Sequence, residues 1–399
     1  MTGDLKQSWA GTVIICAAHH WEGVRLHDRQ LAENLASHVP VLYVDPPFSV
    51  LTRWRRPELR QALSGPRFRV LGPNLARLTP LVLPAMQRPG MSRITQFLKA
   101  RLVRNAVLRL GGTVRALVET STFAPIMGRC GEELQVYWAQ DDFVGSADLL
   151  GLSAERIRRG EQDLLSRAHL VIAANPDVAR AVSRPGRRTV LVPYGCDFEH
   201  FASAREMVPP LELVSLPRPV IGFMGHLGDR IEMPLLEAVA DTGQSLLLIG
   251  PRHPRFARAA MDPLMARPNV HWVGRQDFED LPKYLSVVDV GLVPYVDSAF
   301  NRGSFPLKTL EYLAAGIPVV ATDLPAIRWL NCPDIRVAKG GKAYAEAVLE
   351  VLARSDADGI QRRQRFAAAH SWKVRAEAFA EALGVHLGQT QGAQKARRV

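Results

Sequence analysis

Residues 303–322 leave this chain few ways to fold. They read as a loop, a short helix and a buried strand in quick succession. Pro306 suits the first turn of a helix, where a missing N–H costs nothing. Leu307, Leu310 and Leu313 keep one apolar face, Gly316 stops the helix, and Pro318 cannot continue it. Ile317, Val319 and Val320 then read as a parallel strand buried on both faces. A helix start exposes orphan N–H groups and partial positive charge, which suits an anion. Lys308 stands in that turn, three residues before Glu311. A cation and a carboxylate one turn apart could hold a phosphate and a ribose together. An ordinary surface Lys–Glu pair satisfies the same spacing.

The segment resembles the donor-binding stretch of GT-B glycosyltransferases. The likeness is to GT4-like bacterial enzymes with the signature Pro-Leu-Lys…Glu-Tyr-Leu-Ala-Ala-Gly-x-Pro-Val-Val-Ala-Thr. It implies that loop amides and Lys308 grip the donor diphosphate and that Glu311 binds the nucleotide ribose, with Pro306 and Leu307 in the same site. Many such enzymes carry a second glutamate eight positions upstream. Gly303 stands there, which leaves the stereochemical outcome open.

A length of 399 residues allows two or three domains, and 47% apolar content is ordinary for a folded protein. Cys16, Cys130, Cys196 and Cys332 are scattered, against a disulfide framework or a zinc site and for a reducing compartment. No apolar run reaches the ~20 residues of a membrane span, and the polar start does not read as a signal peptide. A cytoplasmic location is expected, peripheral on the inner face of the membrane. The net charge of +11 is uneven: residues 46–118 hold 14 Arg and Lys against the single acid Glu58. Such an excess implies an anionic partner.

In chain order, residues 12–18 read as a first strand ending in His19, His20, Trp21 and Glu22, where open α/β sheets place ligands. His20 is a candidate acceptor-site base or a strand-end polar residue, and Glu22 shares that position. Residues 25–38 read as a helix and 41–44 as a strand, an opening that resembles the N-terminal domain of the same enzymes. Arg53, Trp54, Arg55 and Arg56 mix cations with an interfacial aromatic. Residues 91–110 read as an amphipathic helix with Met91, Ile94, Leu98, Leu102 and Leu110 on its apolar face, and Arg93, Lys99, Arg101, Arg104 and Arg109 supplying charge. A membrane surface fits this pattern, as does a normal helix packed on the sheet. Nucleic acid is not expected, since the patch lacks an aromatic-interleaved strand or a helix-turn-helix pattern.

Further strands are expected at 114–119 and 135–138, the latter leading to Asp141 and Asp142. Neighbouring carboxylates raise one another's pKa, which suits a base near neutral pH. Asp pairs at strand-to-helix turns also serve as helix caps. The related enzymes carry a similar Asp-Asp run facing the cleft, which makes Asp141 or Asp142 the acceptor-activating candidate. Strands at 170–174 and 189–192 follow, then a linker at 198–219.

A second α/β unit restarts at 220–223 and ends in Gly225 and His226, small and polar residues suited to a phosphate. By resemblance this loop serves the diphosphate, with His226 and Arg230 as basic candidates. Strands at 245–250, 270–274 and 287–294 continue the unit. Arg275 follows the strand at 270–274, in a region that packs beside the nucleotide base in the family. Residues 366–383 resemble the terminal helix that crosses back to the first domain.

The expected architecture is α/β, GT-B: two Rossmann-like doubly wound domains facing a central cleft. Residues 1–205 bind the acceptor, 206–365 bind the nucleotide-sugar, 366–387 form the crossing helix and 388–399 a basic tail. The expected activity is transfer of a sugar from a nucleotide-sugar donor, UDP in preference to GDP, to a glycan or lipid-linked acceptor. The donor enters as substrate; no cofactor and no metal are expected. A nucleotide-sugar epimerase of the same fold, or a non-catalytic nucleotide- or nucleic-acid-binding protein, are the rival readings.

Overall fold

A computed structural model describes residues 9–49, 65–84, 90–145, 147, 153–253, 256, 258–354 and 358–385. The Arg53–Arg56 run and the tail at 388–399 lie outside them. Among the described residues ten strands belong to the first half: β1 (Thr12–Cys16), β2 (Val41–Val44), β3 (Phe48–Ser49), β4 (Phe68–Gly72), β5 (Leu75–Leu78), β6 (Leu81–Val82), β7 (Val114–Glu119), β8 (Leu134–Ala139), β9 (Leu170–Ala173) and β10 (Arg188–Leu191). Eight of them form a sheet of order β10-β9-β8-β7-β1-β2-β5-β4, parallel except for the β4–β5 edge. Six belong to the second half: β11 (Val220–Met224), β12 (Ser245–Ile249), β13 (Val270–Gly274), β14 (Val290–Val293), β15 (Val319–Ala321) and β16 (Ile335–Val337). Their order, β13-β12-β11-β14-β15-β16, is all parallel.

Leu246, Leu247, Leu248 and Ile249 are all fully buried, as a strand covered on both faces requires. Each such side chain contributes roughly 1.5–3 kcal/mol by leaving water. In both sheets the first strand lies in the middle and the chain winds outward to either side. Each winding leaves a crevice at the C-terminal strand ends, between β1 and β7 and between β11 and β14.

Five helices matter below: α1 (His27–Leu35), α2 (Met91–Leu110), α3 (Leu307–Ala314), α4 (Gly359–Ala368) and α5 (Trp372–Ala382). Pro306 sits one place before α3, at its cap, and Gly316 adopts a left-handed backbone (φ 72°) just past its end. Ile317 precedes β15 and takes no part in it.

The expected single helix at 366–383 is two. The chain breaks at 369–371, where Ser371 Oγ accepts the Val374 N–H (3.4 Å) and starts α5. At the break the Trp372 N–H donates to the Cys196 carbonyl (2.9 Å) and the Cys196 N–H to that of His370 (3.2 Å). The α5 helix then packs on α1, and Phe379 meets Trp138 edge-on at 5.4 Å. The expected linker at 198–219 contains helical turns at Phe198–Ala202 and Leu211–Val214.

The face expected for α2 is also rotated. Thr95, Lys99, Ala100, Val103, Ala106, Val107 and Leu110 are buried, while Ile94, Phe97 and Leu108 face outward. Lys99 is not surface charge: it lies 3.9 Å from the buried Glu119.

Candidate active site

The crevice of the second sheet is built on α3. Tyr312 anchors this helix: its hydroxyl accepts the Met224 N–H (2.6 Å) and donates to the Gly222 carbonyl (3.3 Å) at the end of β11. That anchoring sets Lys308 beneath the loop that follows β11. Its ammonium lies over the rings of Phe223 (4.3 Å) and Tyr295 (4.8 Å) and hydrogen-bonds Tyr295. Gly225 (φ 149°) passes so close that a Cβ there would meet Lys308 Cε at 3.1 Å. Burial lowers the Lys308 pKa. Glu311, one turn on, is pushed up to about 7 by burial, with the Lys308 charge opposing and the Asp197 charge assisting. Among the described residues its carboxylate accepts no hydrogen bond.

Arg230 is fixed by Asn301 Oδ1 and Ser304 Oγ, each at 2.7 Å, and lies over the rings of Tyr295 (4.5 Å) and Phe300 (4.7 Å). It stands at the same crevice as Lys308. His226, exposed on the β11 loop, has its pKa lowered by burial and by the nearby His253 and Lys308. Arg275 is not brought to this group. It follows the edge strand β13, two strands from β11, and is exposed without an ion pair or hydrogen bond among the described residues. Pro306 and Leu307 lead into α3 beside Lys308.

The first sheet supplies the opposite wall. Asp141 and Asp142, adjacent in sequence, part company. Burial pushes the Asp141 pKa up to about 7, although the Arg230 and His19 charges pull it down. Asp142 Oδ1 accepts the Gly145 N–H (2.8 Å), a turn-capping bond. His20 stacks on Phe48, ring centroids 4.1 Å apart. Glu22 pairs with Arg77 (2.5 Å) and Arg69 (3.4 Å), and Arg77 in turn pairs with the buried Asp45 (2.8 Å).

His19, which the sequence reading named only as a strand-end residue, is tied to α1 although its side chain is 40% exposed. Its Nδ1 lies 2.9 Å from Asp28 Oδ2, and the same oxygen accepts the Ala18 and His19 N–H groups. Gln140 donates to Asp28 Oδ1. Burial alone would raise the Asp28 pKa, but His27, His19 and Gln140 hold it at about 2. Burial pulls His19 down; the Asp28 hydrogen bond and charge, with Asp141's charge, outweigh it and leave His19 raised. His27, stacked on Tyr194 at 4.5 Å, is held down at about 4 by burial.

One signal could have found this group. Asp28, Leu31 and Leu35 share the buried face of α1, and a carboxylate among leucines needs a partner. His19, His27 and Asp28 also present ligand atoms within 4.8 Å of one another. Both Asp28 oxygens are already spent on hydrogen bonds, so a metal there would have to displace them.

The two walls meet. Asn175 Nδ2 donates to the Gly303 carbonyl, Tyr194 contacts Phe305 edge-on at 6.3 Å, and Arg25 lies over Phe278 at 5.2 Å. Gly303 faces Asp142, whose Cβ would stand 2.6 Å from any Cβ placed at 303. A glutamate has no room at this position.

Residues 218–354 match the family model described as glycosyl transferases group 1. A protein of Bacillus subtilis strain 168, named as the teichuronic acid biosynthesis glycosyltransferase TuaH, is 28% identical over 185 residues. That match covers 45% of this chain and 46% of the relative, so less than half of either chain is aligned. The fold is similar to sucrose-phosphate synthase from Thermosynechococcus elongatus (TM-score 0.69, 19% identity, 93% of this chain and 98% of that one). It is similar also to Anabaena HepE in complex with UDP (TM-score 0.64, 14% identity, 94% and 99%). At such identities these two structures speak to the fold, which is GT-B, as the resemblance implied.

Proposed function

We propose that this GT-B chain, with a glycosyl transferases group 1 segment in its second half, transfers a sugar from a UDP-sugar to a lipid-linked or glycan acceptor. The observation that carries the reading is that Arg230's charge acts on both the buried Lys308, one turn before Glu311, and the half-buried Asp141 of the other half. Residues 206–365 hold the donor and 1–205 the acceptor. Lys308 and the Gly225 loop take the diphosphate, Arg230 adds charge, and Glu311 takes the ribose hydroxyls. Anabaena HepE in complex with UDP and with UDP-glucose supports the choice of nucleotide.

The acceptor hydroxyl gives its proton to Asp141 as its oxygen bonds to the sugar C1. The C1–O bond to the diphosphate breaks, and the electron pair leaves with UDP, where Lys308 and Arg230 meet the charge. Asp141 is favoured over Asp142 because a pKa near 7 suits a base at neutral pH, and Asp142 is spent on a turn. We assign no metal to the step, since cationic side chains already meet the leaving charge.

A lipid-linked acceptor is supported by α2, where Ile94, Phe97, Arg101, Arg104 and Leu108 recur at helical spacing on the exposed face. No helix among the described residues is long and apolar enough to cross a membrane. The expected placement is on the inner membrane face.

A thermal-shift panel with UDP, GDP and ADP tests the donor. A ligand at 100 times its Kd stabilises by roughly 2.7 kcal/mol. UDP should do so, and the shift should vanish in Lys308→Ala and Glu311→Ala; no shift with any nucleotide would sink the reading. Product mass then separates transfer from epimerisation, which adds no sugar. Co-sedimentation with anionic vesicles, weakened in Phe97→Asp, tests the membrane face, and equal binding to neutral vesicles would count against it.

A further inference from the structure

On the far side of the second sheet, at the N-terminal ends of its strands, lies a cavity of about 1140 Å³. Arg218, Asp289, Pro318 and Asp334, which line it, directly precede β11, β14, β15 and β16 or stand one residue further out. The donor crevice opens at the opposite ends of the same strands. Six arginines line the cavity: Arg205, Arg218, Arg336, Arg354, Arg362 and Arg363. Among the described residues only two acids join them, Asp289 and Asp334.

Those acids are already engaged. Asp289 pairs with Arg218, and Asp334 is shared by Arg362 (2.6 Å) and Arg363 (3.2 Å). Arg336 reaches Glu350 at 3.2 Å. Arg205 and Arg354 form no ion pair among the described residues, although Asp289 lies near enough for its charge to act on Arg205. The Nε of Arg205 is buried with no hydrogen-bond partner. Gathering like charges in a concave site costs free energy that a bound anion would offset. Guanidinium forks match phosphate oxygens in shape and charge. Between them Ile335, Leu352 and Ile360 offer apolar wall.

We propose that this groove is a second ligand site, separate from the donor cleft, that takes a small organic phosphate. The concave shape, with a volume just above the roughly 300–1,000 Å³ of small-molecule pockets, favours a compact ligand over an extended polyanion. Burial lowers the Arg205 pKa; the Asp289 charge opposes it, and the charges of Arg218 and Arg363 add to it. The groove also touches the donor helix: Arg363 Nε donates to the Gly316 carbonyl (2.9 Å), just beyond α3.

Phenyl phosphate, which joins a phosphate to an apolar ring, is the probe. It is titrated calorimetrically at fixed ionic strength into wild type, Lys308→Ala, Arg354→Gln and Arg205→Gln/Arg354→Gln. Saturable binding that survives Lys308→Ala and saturating UDP, and weakens roughly tenfold or more in the double variant, is the expected result. Arg354 is exposed, so its single variant keeps the test open if the double variant fails to fold. Absence of saturable binding to wild type would overturn the proposal. So would binding that is lost in Lys308→Ala and kept in Arg354→Gln.

Discussion

The two walls of the cleft are built in different ways. The donor wall is local: Pro306, Lys308, Glu311 and Tyr312 fall within seven residues and share one helical start. The acceptor wall is assembled from afar, with His19 beyond the end of β1, Asp28 in the first turn of α1, and Gln140 and Asp141 just past β8. Arg230 reaches Asp141's charge from the other half of the chain. A local site survives in sequence as a motif, because spacing along one helix fixes it. A dispersed site leaves only isolated polar residues at strand ends.

The largest expected effect falls on the dispersed wall. Asp141→Asn keeps the shape of the side chain and removes the base. Turnover should fall about 10²–10⁴-fold, while UDP affinity, set on the other wall, stays within about threefold. Asp142→Asn should cost far less, since its role is a bond to the Gly145 N–H. Initial rates at saturating donor, beside UDP titrations, would show this. Equal losses for the two variants would erase the distinction between them.

Next comes the seam. Gly303→Ala places a Cβ only 2.6 Å from Asp142 Cβ, an obstacle that sits on Asp142's own backbone. Overpacking of this kind costs roughly 1–3 kcal/mol. Denaturant melts should show the loss, and cleft closure should weaken with it. An unchanged midpoint would mean that the two walls stand further apart in solution.

How far the sequence could be read follows the same division. Alternating strands and helices, with largely apolar runs at β1, β11, β12 and β15, marked the two α/β units, since parallel strands buried on both faces look like little else. The α3 segment was legible for its Gly316 stop and its Lys308–Glu311 spacing, while Pro306, expected in the first turn, stands at the cap. The α2 face was misread because Lys99 finds a buried acid in Glu119, a partner twenty residues away that helical periodicity cannot supply. His20 was weighed where His19 makes the bond to Asp28, because strand alternation tells neighbours apart only while the strand lasts, and β1 ends at Cys16. Arg77, pairing Glu22 with Asp45, lay in a basic stretch that read as surface.

The smallest expected effect compares the walls through their protons. Asp141 and Glu311 both sit at about 7 in the folded chain, above the ordinary 3.8 and 4.5. Between pH 4 and 7 the folded state therefore holds protons that the unfolded chain has released, and each group makes stability fall as pH rises. His19, also raised, acts in the same direction from pH 6.5 upward. His27, held at about 4, acts oppositely between pH 4 and 6.5, and Asp28, at about 2, does so below 3.8. The wild-type slope mixes these signs, so the difference between variant and wild type is the informative quantity. Asp141→Asn and Glu311→Gln mimic the protonated acids and should each gain on wild type from pH 5 to 7.5, by about 1–3 °C in Tm. A gain for Asp141→Asn alone would show Glu311 to be well solvated without nucleotide, and the walls to differ in burial as well as in assembly. A difference constant with pH for both would mean that neither carboxyl holds a proton at neutral pH, and Asp141 would then act as a weak base placed by geometry alone.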